Sequence, residues 1–119
     1  MKKLKAKSKL SFILPKLTND NKKIDYSKIL TSACNVFGGY TLRECSGGWV
    51  DNNTLYTDES NELEILHEGL NEDMKNTVEE ILDFLFSEEE AGQLAVYANN
   101  NNEVYILENE DVKEFKNIL

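Results

Sequence analysis

Residues 40–67 read YTLRECSGGWVDNNTLYTDESNELEILH. They decide the fold, because they hold two extended segments joined by one tight turn. Tyr40 to Val50 carries residues that favour strands, interrupted at Ser46-Gly47-Gly48, where paired glycines predict a bulge or a close backbone approach. Asp51-Asn52-Asn53 is a turn, since asparagine tolerates positive φ. Thr54 to His67 is a third strand with a possible break at Asp58 to Asn61, and Leu63, Ile65 and His67 share one face by alternation.

Working outward, each side of this hairpin carries a helix and then a strand. On the N-terminal side, Asp25 is a good N-cap, and Tyr26, Ile29, Ala33, Val36 and Phe37 recur at helical spacing. Gly38 supplies the left-handed stop, which predicts a helix over 26–37. Before it, Lys9 to Leu14 alternates as a strand, and the polar stretch 15–23 is a loop. On the C-terminal side, Asn71 caps a helix with Met74, Val78, Ile81, Leu82 and Leu85 on one stripe. Glu72 and Asp73 stand in its first turn, where the dipole favours acids. Gln93 to Ala98 and Glu103 to Glu108 form a hairpin about Asn99 to Asn102. Asn109 caps a terminal helical turn with Val112 and Phe115.

The order is β-α-β-β-α-β with an added C-terminal hairpin strand. That is the ferredoxin-like α+β sandwich, with two helices on one face of an antiparallel sheet. The expected division is a basic N-terminal arm at 1–8, one domain at 9–108 and a helical tail at 109–119.

The chain has 119 residues and a net charge of −9, and the charge is unevenly spread. Residues 1–28 hold nine lysines against Asp20 and Asp25, a net of +7. The remaining residues hold Arg43, Lys75, Lys113 and Lys116 against twenty acids, a net of −16. The acidic body disfavours nucleic acid except through the basic arm. No apolar run approaches the roughly 20 residues of a membrane span, and the run after the first lysines is too short for a signal peptide. Cys34 reads as a core thiol and Cys45 as a strand residue, eleven apart, so a reduced cytoplasmic setting is expected.

Covering one sheet face with helices leaves the other for a partner. The residues expected there are Ile13, Arg43, Trp49, Tyr56, Leu66, Tyr97 and Tyr105. Burial between copies is the plain reading, and a ligand surface is the sharper one. Trp49 offers a stacking plane and an N–H donor, and Arg43 can pair with a phosphate or carboxylate. The candidate ligand-binding residues are therefore Thr41, Arg43, Trp49, Tyr56, Asp58 and His67.

His67 is the one histidine, so any nucleophilic triad must use it, and strand-end packing is its plainer role. No metal-ligand spacing occurs, and neither glycine pair makes a phosphate loop, so no cofactor and no metal is expected.

Pro15 with Thr18-Asn19-Asp20, Phe37-Gly38-Gly39-Tyr40-Thr41, Gly48-Trp49 with Asp51, Asp58-Glu59, and Gly92-Gln93 with Ala95-Val96 form a series. It resembles a diffuse group of small uncharacterised proteins of bacteria, plasmids and phages. The resemblance runs from about residue 10 to 107 and implies a ferredoxin-like fold with no established activity. The expectation is a protein that is not an enzyme. It would oligomerise through its sheet and bind a protein partner or a small anionic, nucleotide-like ligand, in a phage or mobile-element setting. The alternatives are a small enzyme using His67 with nearby carboxylates, and an acidic interaction module or nucleic-acid mimic.

Overall fold

A computed structural model describes residues 1, 3 and 8–119. Most of the expected basic arm lies outside the described residues. The elements are β1 (Ser8–Pro15), α1 (Ser27–Phe37), β2 (Thr41–Asp51), β3 (Thr54–His67), α2 (Glu72–Phe86), β4 (Val96–Asn100) and β5 (Glu103–Leu107). A 3₁₀ turn at Asn109–Asp111 leads into α3 (Val112–Ile118). The five strands form one antiparallel sheet in the order β2-β3-β1-β4-β5. Its first four positions are the ferredoxin-like order, and β5 is added beside β4, so the chain is an α+β sandwich.

Alternation on the strands builds the core. Leu10, Phe12 and Leu14 of β1, Leu63 and Ile65 of β3, and Val96 and Ala98 of β4 point to one side and are buried. They meet Ile29 and Ala33 of α1 and Val78, Ile81, Leu82 and Leu85 of α2. The Asn71 side chain accepts from Met74 N–H at 2.9 Å, opening α2 as its sequence requires.

Several local expectations change. Tyr26 takes the N-cap position of α1, while the Asp25 carboxylate accepts from Ser27 N–H at 2.9 Å, the grip of an Asx turn. Gly38 does end that helix, at φ 88°. The β2–β3 register is unbroken from Thr41↔Glu64 to Asp51↔Thr54, so there is no bulge at Gly47-Gly48 and no break at Asp58 to Asn61. The turn is tight because Asn52 and Asn53 both adopt positive φ. β4 begins at Val96 rather than Gln93, because Gln93 N–H is still bonded to Leu85 O at 2.8 Å.

The C-terminal segment is a third helix, longer than the expected turn. Glu108 and Asp111 form the capping box of the 3₁₀ turn before it, and Phe115 is buried against Tyr105, ring centroids 5.4 Å apart and edge-on. Tyr105 therefore belongs to the helix side of the sheet, not to the face assigned from sequence. Cys34 is exposed on α1 and is not a core thiol. Among the described residues, no helix is long and apolar enough to cross a membrane.

His67 ends β3 on the helix side, buried, and among the described residues neither ring nitrogen has a hydrogen-bond partner. Burial disfavours the imidazolium and lowers its pKa. The unfolded chain then binds more protons than the folded one near pH 6, so stability is complete above the ordinary histidine value and falls as pH drops through it. Urea unfolding of the parent between about pH 8 and about pH 5 should show this loss, and His67→Leu should flatten it.

Candidate functional site

β3 has fourteen residues and β1 only eight, so the two pair only from Ser8↔His67 to Pro15↔Ser60. Beyond Ser60, residues 54–59 pair with β2 alone and project as a two-stranded arm. At the same point the chain leaving β1 turns away. Lys16 N–H bonds Glu59 O at 3.1 Å, and the Tyr26 hydroxyl donates to Pro15 O at 2.5 Å. Thr18 closes the following loop, donating through N–H to Lys22 O at 2.8 Å and accepting from Lys22 N–H through Oγ1 at 3.1 Å. Asn21 turns it at φ 61°.

This divergence opens a cleft of about 300 Å³ at the base of the arm. Thr18, Asn19 and Asn21 line it from the loop, Thr57, Asp58 and Glu59 from β3, and Gln93 from the segment before β4. Thr57 and Glu59 share the strand side of Leu63 and Ile65, which aims them below the sheet toward the loop. Gln93 is held at both ends. Its N–H bonds Leu85 O, and its Nε2 donates to Ala91 O at 3.0 Å, which leaves Oε1 as its acceptor for the cleft. A second cleft of about 470 Å³ lies across the same loop, between Thr18 to Asp25 and Glu88 to Gly92.

The first cleft offers the Glu59 carboxylate, two asparagine amides, a glutamine amide and hydroxyls, and among the described residues neither lysine nor arginine lines it. Such a surface hydrogen-bonds a heterocycle or sugar and favours positive over negative charge.

The residues nominated from sequence separate into three groups. Asp58 borders the cleft, while alternation turns its side chain to the helix-free face of the sheet. Thr41, Arg43, Trp49 and Tyr56 fall on the sheet face away from the helices, as the register requires. Trp49 and Tyr56 stand opposite each other with rings stacked, centroids 5.5 Å apart. Eight residues separate Thr41 from Trp49, roughly 26 Å along a strand, so these residues do not make one pocket.

Arg43 is already occupied. It donates to both Glu64 oxygens at 2.9 and 3.3 Å and to Glu62 at 3.5 Å, and Lys9 reaches Glu64 at 3.9 Å. Glu64 raises the guanidinium pKa further, and the hydrogen bond from Arg43 lowers that of Glu64. Two cations and two carboxylates cancel, so this patch has no surplus charge for an anion. His67 is alone on the opposite face, and its burial removes the reading in which it worked as an accessible catalytic base.

Thr18, Asn19, Asn21, Thr57, Glu59 and Gln93 were not nominated. Three of the quoted motifs, around Thr18-Asn19, Asp58-Glu59 and Gln93, nevertheless meet at this cleft. The motifs around Phe37-Gly38-Gly39 and Gly48-Trp49 lie elsewhere, on the stop of α1 and on the arm.

No protein-family model and no curated protein sequence matches this chain. Two solved structures share its fold. One is a phage SAM lyase in complex with S-methyl-5'-thioadenosine, with a TM-score of 0.61, 16% identity, and coverage of 92% of this chain and 96% of that one. The other is a phage SAM lyase in the apo state, with a TM-score of 0.59 and the same identity and coverage. At this identity the likeness is one of fold. It corrects the expectation that leaned away from catalysis, because the structures that share the fold over nearly the whole chain are of an enzyme. One of them holds a small-molecule ligand.

Gly92 adopts φ 62° and its N–H bonds Ser87 O at 2.8 Å, which delivers Gln93 to the cleft. Gly92→Ala should cost about 1 kcal/mol through strain at positive φ, measured by urea unfolding, without changing the helix content seen by circular dichroism.

Proposed function

We propose that the chain is an enzyme acting on a sulfonium nucleoside of the S-adenosylmethionine type, which it binds in the cleft between Thr18-Asn19, Asp58-Glu59 and Gln93. The observation that carries this reading is the convergence of those three separated segments on one cleft. The shared fold with a SAM lyase supports it from outside.

The chemistry of the cleft fits such a ligand. A sulfonium is cationic, and the Glu59 carboxylate is the charge at hand. Asn19 and Gln93 carry donors and acceptors of the kind an adenine edge or ribose requires. Cleaving a carbon–sulfur bond sends its electron pair to sulfur and leaves a neutral thioether, while the carbon released from sulfur takes its new bond from the substrate's own carboxylate, closing a lactone with no water added. Positive charge at sulfur thus declines on the way to the transition state. A carboxylate that grips the sulfonium therefore stabilises the bound substrate at least as much as the transition state, and rate acceleration must come from orientation and exclusion of water. This reading replaces the anionic ligand expected from sequence, because the lysine-free cleft and the satisfied Arg43 both disfavour one.

The arm supports self-association. It carries Trp49 and Tyr56 on one face and Val50 and Leu55 on the other, all exposed, and a two-stranded ribbon gains little stability alone. Packing the arm against a second copy would cover these side chains beside the cleft. A cytoplasmic setting fits the two free cysteines.

Incubating the purified chain with S-adenosylmethionine should release S-methyl-5'-thioadenosine, detected by chromatography. Glu59→Gln should raise KM more than it lowers kcat, and Gln93→Ala should lower kcat/KM by about tenfold or more, an effect of about 1.4 kcal/mol. If neither turnover nor a thermal shift occurs with either nucleoside, the reading is wrong. Size-exclusion chromatography with light scattering should show an oligomer, and the double variant Trp49→Ala, Tyr56→Ala should dissociate it while keeping its circular dichroism spectrum. A parent chain that stays monomeric at high concentration would remove the self-association.

A further inference from the structure

The two edges of the sheet are β2 and β5, and they are unlike. β2 carries Arg43, Glu44, Gly47 and Gly48. β5 reads Glu-Val-Tyr-Ile-Leu, with no lysine, proline or bulge, the devices that commonly protect an edge. Its hairpin fixes which backbone groups are free. The two-residue turn Asn101-Asn102, both at positive φ, makes Asn100↔Glu103 a hydrogen-bonded pair. Alternation then directs the polar groups of Glu103, Tyr105 and Leu107 to β4 and those of Val104 and Ile106 to the open edge.

Side chains complete the picture on both sides of that edge. Val104 and Ile106 are exposed on the helix-free face of the sheet. On the helix side, a groove of about 240 Å³ runs between β5 and α3, with Tyr105, Leu107, Phe115 and Ile118 as its apolar wall and Asp111 and Glu114 beside them. Among the described residues, neither lysine nor arginine lines it.

We propose that β5 is a strand-addition site for an extended peptide in which apolar and basic residues alternate. The added strand would bond the free N–H and C=O groups of Val104 and Ile106. Its apolar row would lie on the Val104 and Ile106 side chains. Its basic row would enter the groove, laying lysine or arginine stems along Phe115 and Ile118 and bringing their charges to Glu114 and Asp111. Charge selects this occupant over a second copy. Two copies meeting at β5 would bring Glu103, Asp111 and Glu114 of one toward the same acids of the other, in a chain of net charge −9.

The test uses the full chain and fluorescent peptides read by anisotropy. One peptide alternates lysine with valine and isoleucine, and a matched one alternates glutamate with the same apolar residues. The basic peptide should bind and weaken with added salt, while the acidic one should not bind. Ile106→Pro deletes an edge N–H that no ladder bond uses, so the fold is kept, and it should weaken binding by about tenfold or more. Glu114→Lys, on the exposed side of α3, should weaken it several-fold. Equal binding of both peptides, or none at millimolar peptide, would overturn the proposal. So would a parent chain whose self-association is lost on Ile106→Pro, since a second copy would then hold the edge.

Discussion

The length mismatch between β1 and β3 is the constraint from which the rest of the molecule follows. Pairing must stop at Pro15↔Ser60, because β1 ends there while β3 continues for six more residues toward its turn. What lies on the core side of that point is a packed sandwich: Leu10, Phe12 and Leu14 against Leu63, Ile65, Val78 and Leu82. What lies beyond it is a ribbon with no third strand and no helix layer. The cleft sits at the boundary, and it is kept open by bonds on both sides. Lys16 N–H to Glu59 O ties the departing chain to β3, and Tyr26 ties it to α1. Tyr26 also packs on Phe84, ring centroids 5.5 Å apart, so the loop that lines the cleft is anchored to both helices.

Element types were legible because alternation and helical spacing are local signals. Leu10, Phe12 and Leu14 announce a strand regardless of what they pair with, and Val78, Ile81, Leu82 and Leu85 announce a buried helix face. The misreadings come from places where the deciding contact is remote. Gly47 and Gly48 look like a bulge, yet the facing residues Asp58 and Thr57 hold a straight register. Tyr105 was placed on the wrong face because its burial depends on Phe115, in a helix that the sequence shows only as a turn. Cys34 reads as a core thiol of the first helix, while the neighbouring Ala33 is the residue that enters the core.

The site was less legible than the fold for the same reason. Thr18, Glu59 and Gln93 are far apart in the chain, and none sits in a motif whose spacing states a chemistry. Only the sheet order brings the loop after β1, the base of the β3 arm and the approach to β4 to one place. The aromatic pair Trp49 and Tyr56 drew attention instead, since their partnership is set within a single hairpin and can be read by counting across its turn.

The dipolar charge of the sequence gains a structural meaning from these placements. Acids gather around the molecule in two different states. Some are matched: Glu64 and Glu62 by Arg43 and Lys9, and Glu79 by Lys113 at 3.3 Å and Lys116 at 3.4 Å. These exposed pairs add little stability, but they remove surplus charge from the sheet face and from the helix layer. Glu59 in the cleft and Glu114 at the β5 groove have no such cation among the described residues. The unmatched carboxylates at these two surfaces thus share the sign of the net charge of −9. A negative field there attracts cations and repels polyphosphates, which makes cationic ligands the common expectation for both surfaces.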